Sequence, residues 1–252
     1  MTNREARRRL IFALDDGTTL EDILSWVGLL RHHVGMFKVG KGSFTAFGPE
    51  IIRRIQGGGG QVFLDLKFHD IPATVAKAVG AAARLNVSML NIHALGGMDM
   101  MKTAVDSLRE TAEQTGLAKP LLLAVTILTS LNDDDLKQMG FARPCADTVL
   151  NLARMAQDAG VSGVVASAWD VVSIREACGK DFLIVTPGIR GPLAPQTGDD
   201  QKRTMAPAEA IGAGADYIVL GRPIRRAADP AGDADKIVAE IARELAGRKG
   251  GK

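Results

Sequence analysis

Phe63-Leu64-Asp65-Leu66-Lys67-Phe68-His69-Asp70-Ile71-Pro72 sets two aspartates and a lysine within six positions of one another. The stretch reads as the end of a buried strand. Successive strand side chains point to opposite faces, so Phe63, Asp65 and Lys67 share one face and Leu64, Leu66 and Phe68 the other. Burying an aspartate beside a lysine is costly unless the charges pair. Asp70 lies just past the strand, before Ile71-Pro72, where a proline can open a helix. On these residues alone a structural ion pair and a chemical site both stand open.

Outward from this stretch, short apolar runs alternate with helical patterns along the chain. The strand candidates are Leu10–Leu14, Met36–Val39, Val62–Leu66, Met89–His93, Leu121–Thr126, Gly163–Ser167, Phe182–Thr186 and Tyr217–Leu220. They are rich in Leu, Ile and Val, as strands covered on both faces should be. Helical patterns fall between them. Thr19-Leu20-Glu21-Asp22 has the acids of a first turn and leads into Ile23–Leu30. Pro49 opens Glu50–Gln56, which Gly57–Gly60 end. Later segments are Ala73–Leu85, Met98–Gln114, Leu136–Met139, Cys145–Asp158, Trp169–Ala177, Pro207–Ile211 and Asp233–Leu245. Eight βα units favour a closed parallel barrel, for which 252 residues is a suitable length. We expect a single β/α-barrel domain over residues 1–252, its core at 10–246, with a disordered Gly250-Gly251-Lys252 tail.

Composition narrows the function classes. A formal charge of +2 is too small to argue for a nucleic-acid or membrane partner, so an anionic substrate would be held by a few placed cations. Cys145 and Cys178 make no C-x-x-C pair, which argues against zinc or a disulfide framework and suits a reducing cytoplasm. The basic Arg4–Arg9 segment precedes too short an apolar run for a signal peptide. The longest apolar run, near Leu121–Leu131, is too short to span a bilayer. No H-x-E-x-H-type spacing suggests a metal.

Barrel chemistry gathers at the carboxyl ends of the strands. Those ends carry Asp15, Lys38, the Asp65-Lys67-Asp70 set, Asn91-Ile92-His93, Thr126–Ser130, Gly188-Ile189-Arg190 and Gly221-Arg222. Glycine lets backbone N–H groups approach a phosphate and arginine grips it with two donors, so Arg190 and Arg222 fit a phosphate cradle. Gln201, in the long irregular stretch Gly188–Met205, can fold over the same group. Each has a plainer reading: Asp15–Lys38 as a structural pair, Arg222 as a surface charge. His93 is expected to be a packed, hydrogen-bonded histidine, and His32-His33 to be solvated.

Taken in order, Ala13-Leu14-Asp15, Lys38-Val39-Gly40, the opening stretch, Val125–Ser130, Val185–Arg190, Gly198–Arg203 and Gly221-Arg222-Pro223 make the chain resemble the bacterial orotidine 5'-phosphate decarboxylases over nearly its whole length. One departure is the doubled Asp199-Asp200 ahead of Gln201. The resemblance implies a β/α barrel that converts orotidine 5'-monophosphate to UMP and carbon dioxide without cofactor or metal. It implies that Lys67 gives a proton to C6 of the pyrimidine, that Asp65 holds Lys67, and that Asp70 and Thr74 serve the neighbouring subunit's site in a homodimer. Asp15 and Lys38 would contact the ribose and extend the charged network, and Thr129 would lie near the base. Arg190, Gln201, Gly221 and Arg222 would surround the phosphate.

The chemistry suits those roles. Loss of carbon dioxide leaves a carbanion with no adjacent electron sink, and a fixed ammonium both stabilises and protonates it. Flanking carboxylates favour the charged lysine, which disfavours a Schiff-base aldolase. A metal-dependent sugar-phosphate relative of the same barrel would want a glutamate near the end of strand two, where this chain has Lys38. A non-catalytic nucleotide-binding barrel is the other alternative.

Overall fold

A computed structural model describes residues 3–15, 17–189 and 205–250. Eight parallel strands close in sequence order: β1 Leu10–Ala13, β2 Met36–Gly40, β3 Val62–Phe68, β4 Met89–His93, β5 Leu121–Val125, β6 Gly163–Val165, β7 Leu183–Thr186 and β8 Tyr217–Leu220. The ring shuts where Leu10 and Ile11 of β1 pair with Ile218 and Val219 of β8. β6 packs so closely on β7 that a Cβ at Gly163 would lie 2.2 Å from the Leu183 carbonyl oxygen, so only glycine fits there.

Strand alternation divides the core in two. Ile11, Met36, Phe63, Met89, Leu123, Val185 and Val219 fill the barrel interior. Their strand neighbours, among them Leu10, Phe12, Phe37, Leu64, Leu90, Ile184 and Ile218, pack outward under the helices. On β2, β3 and β4 the inward position two residues further along is polar. That step leads from Met36 to Lys38, from Phe63 to Asp65 and from Met89 to Asn91. The plug is therefore the floor of the site, and the polar residues are its walls.

Local chemistry sets the helix ends. Thr19 Oγ1 accepts the Asp22 N–H at 3.1 Å and caps Leu20–Leu30. Pro72 is the first residue of the helix Pro72–Ala83, directly after Asp70 and Ile71. Among the described residues three short α-helices lie outside the sequence expectation: Asn3–Arg8, Lys41–Phe47 and Arg222–Arg225. Each is seven residues or shorter, too brief for its apolar periodicity to register. The last helix runs over Pro230–Gly250, starting earlier than expected because Asp229 Oδ1 accepts the Gly232 N–H at 3.0 Å. Gly250 thus ends a helix rather than opening a disordered tail, and 251–252 lie outside the described residues.

Opposite the site, Arg175 ties the approaches to β7 and β8 together. It donates to the Gly179, Phe182 and Gly214 carbonyls and to Asp216 Oδ2. The same Asp216 oxygen accepts the Ile184 N–H at 2.9 Å. His33 is less solvated than expected, its Nδ1 lying 2.9 Å from Asp235 Oδ1. Among the described residues no helix is long and apolar enough to cross a membrane.

Candidate active site

A cavity of about 470 Å³ opens at the carboxyl ends of the strands. Among the described residues its charged walls are Asp15, Lys38, Asp65, Lys67 and Arg222, three cations against two carboxylates, a balance suited to an anionic ligand. Thr129, Gly188 and Gly221 also line it, and Ile127, Leu128, Pro187 and Ile189 add an apolar wall.

The charges alternate in a chain. Lys38 Nζ donates to Asp15 Oδ1 and Oδ2 at 2.8 and 2.6 Å and lies 3.2 Å from Asp65 Oδ2. Lys67 Nζ donates to Asp65 Oδ1 at 2.6 Å. Asp65 is thus gripped by an ammonium on each oxygen. Burial alone would push its pKa up, but the Lys38 and Lys67 charges and the hydrogen bonds from Lys67 and Asn91 outweigh that and bring it down to about 2. Lys38 shows the mirror case. Burial works against its charge, the Asp65 and Asp15 carboxylates more than compensate, and its pKa is raised. Asp65 is therefore a fixed anion throughout the neutral range and Lys38 a fixed cation.

The backbone of β3 departs from a plain strand here. Leu64 pairs with Leu90, but the next registered pair is Phe68 with Ile92, so four steps on β3 answer two on β4. Lys67 sits inside this bulge with φ at +51°, a left-handed conformation uncommon for a residue with a Cβ. Asn91, fully buried on β4, crosses to the bulge. Its Oδ1 accepts the Lys67 N–H at 2.7 Å, and its Nδ2 donates to Asp65 Oδ1 at 2.7 Å. Sequence reading placed Asn91 at a strand end without giving it a part. Its only signal was a polar residue at an inward position.

Asp70 and Thr74 stand apart from this cluster. Neither lines the cavity, and both side chains are exposed. Asp70 Oδ1 accepts the Ile71 N–H at 2.7 Å, and among the described residues it makes no ion pair. Ile71 beside it is 67% exposed. Arg190 and Gln201, expected at the phosphate, lie outside the described residues, as do Asp199 and Asp200. His93 is packed, but not as expected. It stacks on His69 with ring centroids 5.4 Å apart, and its Nδ1 finds no hydrogen-bond partner among the described residues. Burial first, then the His69, Lys67 and Lys41 charges, push its pKa down to about 4.

Residues 8–237 match the family model described as "Orotidine 5'-phosphate decarboxylase / HUMPS family". The chain is 58% identical over 248 residues to an orotidine 5'-phosphate decarboxylase of Syntrophus aciditrophicus, covering 98% of both chains. It is 54% identical over 241 residues to that of Geotalea daltonii, covering 96% of this chain and 99% of the relative. The crystal structure of orotidine 5'-phosphate decarboxylase from Lactobacillus acidophilus superposes with a TM-score of 0.79 at 40% identity, over 93% of this chain and 99% of that one. With the barrel, the strand-end chemistry and a match over nearly its whole length, this chain belongs to the orotidine 5'-phosphate decarboxylase / HUMPS family.

Proposed function

We propose that the chain decarboxylates orotidine 5'-monophosphate to UMP and carbon dioxide, with Lys67 as the proton donor. The observation that carries this is the Lys67 ammonium, held on Asp65 Oδ1 inside a cavity that also presents Arg222. As the bond from C6 to the carboxylate breaks, its electron pair stays on C6. The Lys67 ammonium faces that developing charge and then transfers a proton to it, leaving a C6–H bond and a neutral amine that solvent reprotonates. Asp65 and Lys38 keep that ammonium in place without being consumed. Thr129 would lie near the base, and Asp15 and Lys38 near the ribose. Arg222 and Gly221, joined by Arg190 and Gln201, would hold the phosphate. That grip lies away from the reacting carbon and can be expressed in the transition state through closure of the site.

Within the family, a decarboxylase reading is favoured over a metal-dependent sugar-phosphate one. Lys38 already bridges Asp15 and Asp65, so an ammonium stands where the metal-using relative would want a ligand for its ion. Asp70 and Thr74 are read as residues given to a neighbouring subunit. Their exposure outside their own cavity and the exposed Ile71 between them support a homodimer with shared sites. Two buried cysteines without a C-x-x-C pair suit a cytoplasmic setting. The test is loss of orotidine monophosphate absorbance in the presence of a strong chelator. Turnover to UMP is expected there; a strict requirement for added divalent metal would overturn the reading.

A further inference from the structure

At the irregular end of β3 the ion pairs hold the Lys67 ammonium but not the Lys67 backbone. Its backbone is left-handed, at φ +51°. Its segment has lost the regular ladder, because two extra residues lie between the Leu64–Leu90 and Phe68–Ile92 pairs. A buried N–H in such a bulge needs an acceptor from outside the ladder. Asn91 supplies it, and with its other amide atom it reaches Asp65 Oδ1, the same oxygen that accepts from Lys67 Nζ at 2.6 Å. Both ends of Lys67, the N–H and the ammonium, are thereby referred to one buried carboxamide.

We infer that Asn91 is a positioning residue for the reaction proposed above: its side chain substitutes for the missing strand ladder and fixes Lys67 and Asp65 relative to each other. The inference rests on the decarboxylase reading. The residue type follows from the two contacts. One atom must accept from a backbone N–H and the other must donate to a carboxylate, and an amide of this length does both. An aspartate at position 91 would keep the acceptor, lose the donor and set a second negative charge against Asp65. An alanine would leave the Lys67 N–H and one Asp65 lone pair unanswered. The Asn91 donor also contributes to holding Asp65 ionised. Misplacement of a reacting group by about 1 Å can cost about 100-fold in rate, so the effect belongs in kcat.

The experiment compares wild type, Asn91→Ala and Asn91→Asp in turnover of orotidine monophosphate and in UMP affinity, which reports a folded site. Expected for Asn91→Ala is a kcat lower by about 100-fold or more, with KM and UMP affinity within about threefold. Asn91→Asp, close in size and retaining the Lys67 contact, carries the test if the alanine variant does not fold. Its kcat relative to wild type is expected to rise as pH falls from about 8 to about 5, because a protonated carboxyl can again donate to Asp65. A merely structural role would not produce that rise. If wild type turns over and the folded variants keep kcat within about threefold, or Asn91→Asp shows no recovery at low pH, the inference fails alone. Wild type inactive on orotidine monophosphate overturns the functional reading and this inference together.

Discussion

Asp15 packs against Gly40 so closely that a Cβ at position 40 would lie 2.5 Å from Asp15 Oδ1 and 3.3 Å from Lys38 Nζ. The clash is with the outer atoms of two side chains, not with backbone. Gly40→Ala is therefore expected to push Asp15 off Lys38 while leaving the barrel intact. Turnover should fall by about tenfold to 100-fold with little change in melting temperature. A large loss of stability with unchanged specific activity would contradict a role for this gap in the site.

Arg222 opens a short helix directly after β8 and lines the cavity beside Gly221. If it holds phosphate, Arg222→Ala should weaken binding of UMP by about 100-fold and leave uridine binding nearly unchanged, since a charge-assisted pair is lost with the first ligand only. Titrations with both ligands check this. Equal losses would remove Arg222 from the phosphate.

Asp70 and Lys67 are three positions apart, yet only Lys67 lines the cavity. For a symmetric dimer that shares its sites, mixing Lys67→Ala and Asp70→Asn chains rebuilds one complete site in each mixed dimer. Random exchange should then return about a quarter of wild-type activity from two inactive proteins. Absence of recovery, with subunit exchange demonstrated by mass, would confine Asp70 to its own chain.

Acid should destabilise the fold in two windows. His93 is held down at about 4, while an unfolded histidine titrates near 6.5. As pH falls between those values the unfolded chain takes up a proton that the folded chain refuses, so stability declines. Asp65 is held at about 2 against an ordinary 3.8. Its contribution, on the order of 2 kcal/mol, is complete above about pH 4 and is lost as pH falls through 2. Urea unfolding from pH 7 to pH 4 should show the first decline in wild type and a weaker one in His93→Phe. Identical slopes would exclude His93 as its source.

The barrel was legible because each strand carries its own apolar run, and strand alternation separates plug from helix-facing residues without tertiary information. The shared face of Asp65 and Lys67 was also read from alternation, although the strand between them is not regular. Asp65 and Lys67 nonetheless both reach the cavity, where Lys67 Nζ meets Asp65 Oδ1, and the two-residue insertion returns Phe68 to the outward side beside Ile92. The bulge itself, the left-handed Lys67 and the part of Asn91 depend on β3 lying beside β4 in one register, and nothing in either segment alone encodes that. His93 failed for a related reason. Its hydrogen bonding was inferred from its type, while its surroundings, a stack against His69, come from the turn after β3. The phosphate side remains a sequence reading for Arg190 and Gln201, which lie outside the described residues.

The central claim is that the Lys67 ammonium does the chemistry and that Asp65 holds it there. Single-turnover decarboxylation of orotidine monophosphate by Lys67→Ala, set beside the affinity of the same protein for UMP, tests it most directly. The account predicts a rate lower by about 10⁴-fold or more, with UMP affinity within a few-fold of wild type, since the lost group stabilises and protonates the carbanion rather than gripping the product. Turnover within about tenfold of wild type would contradict it.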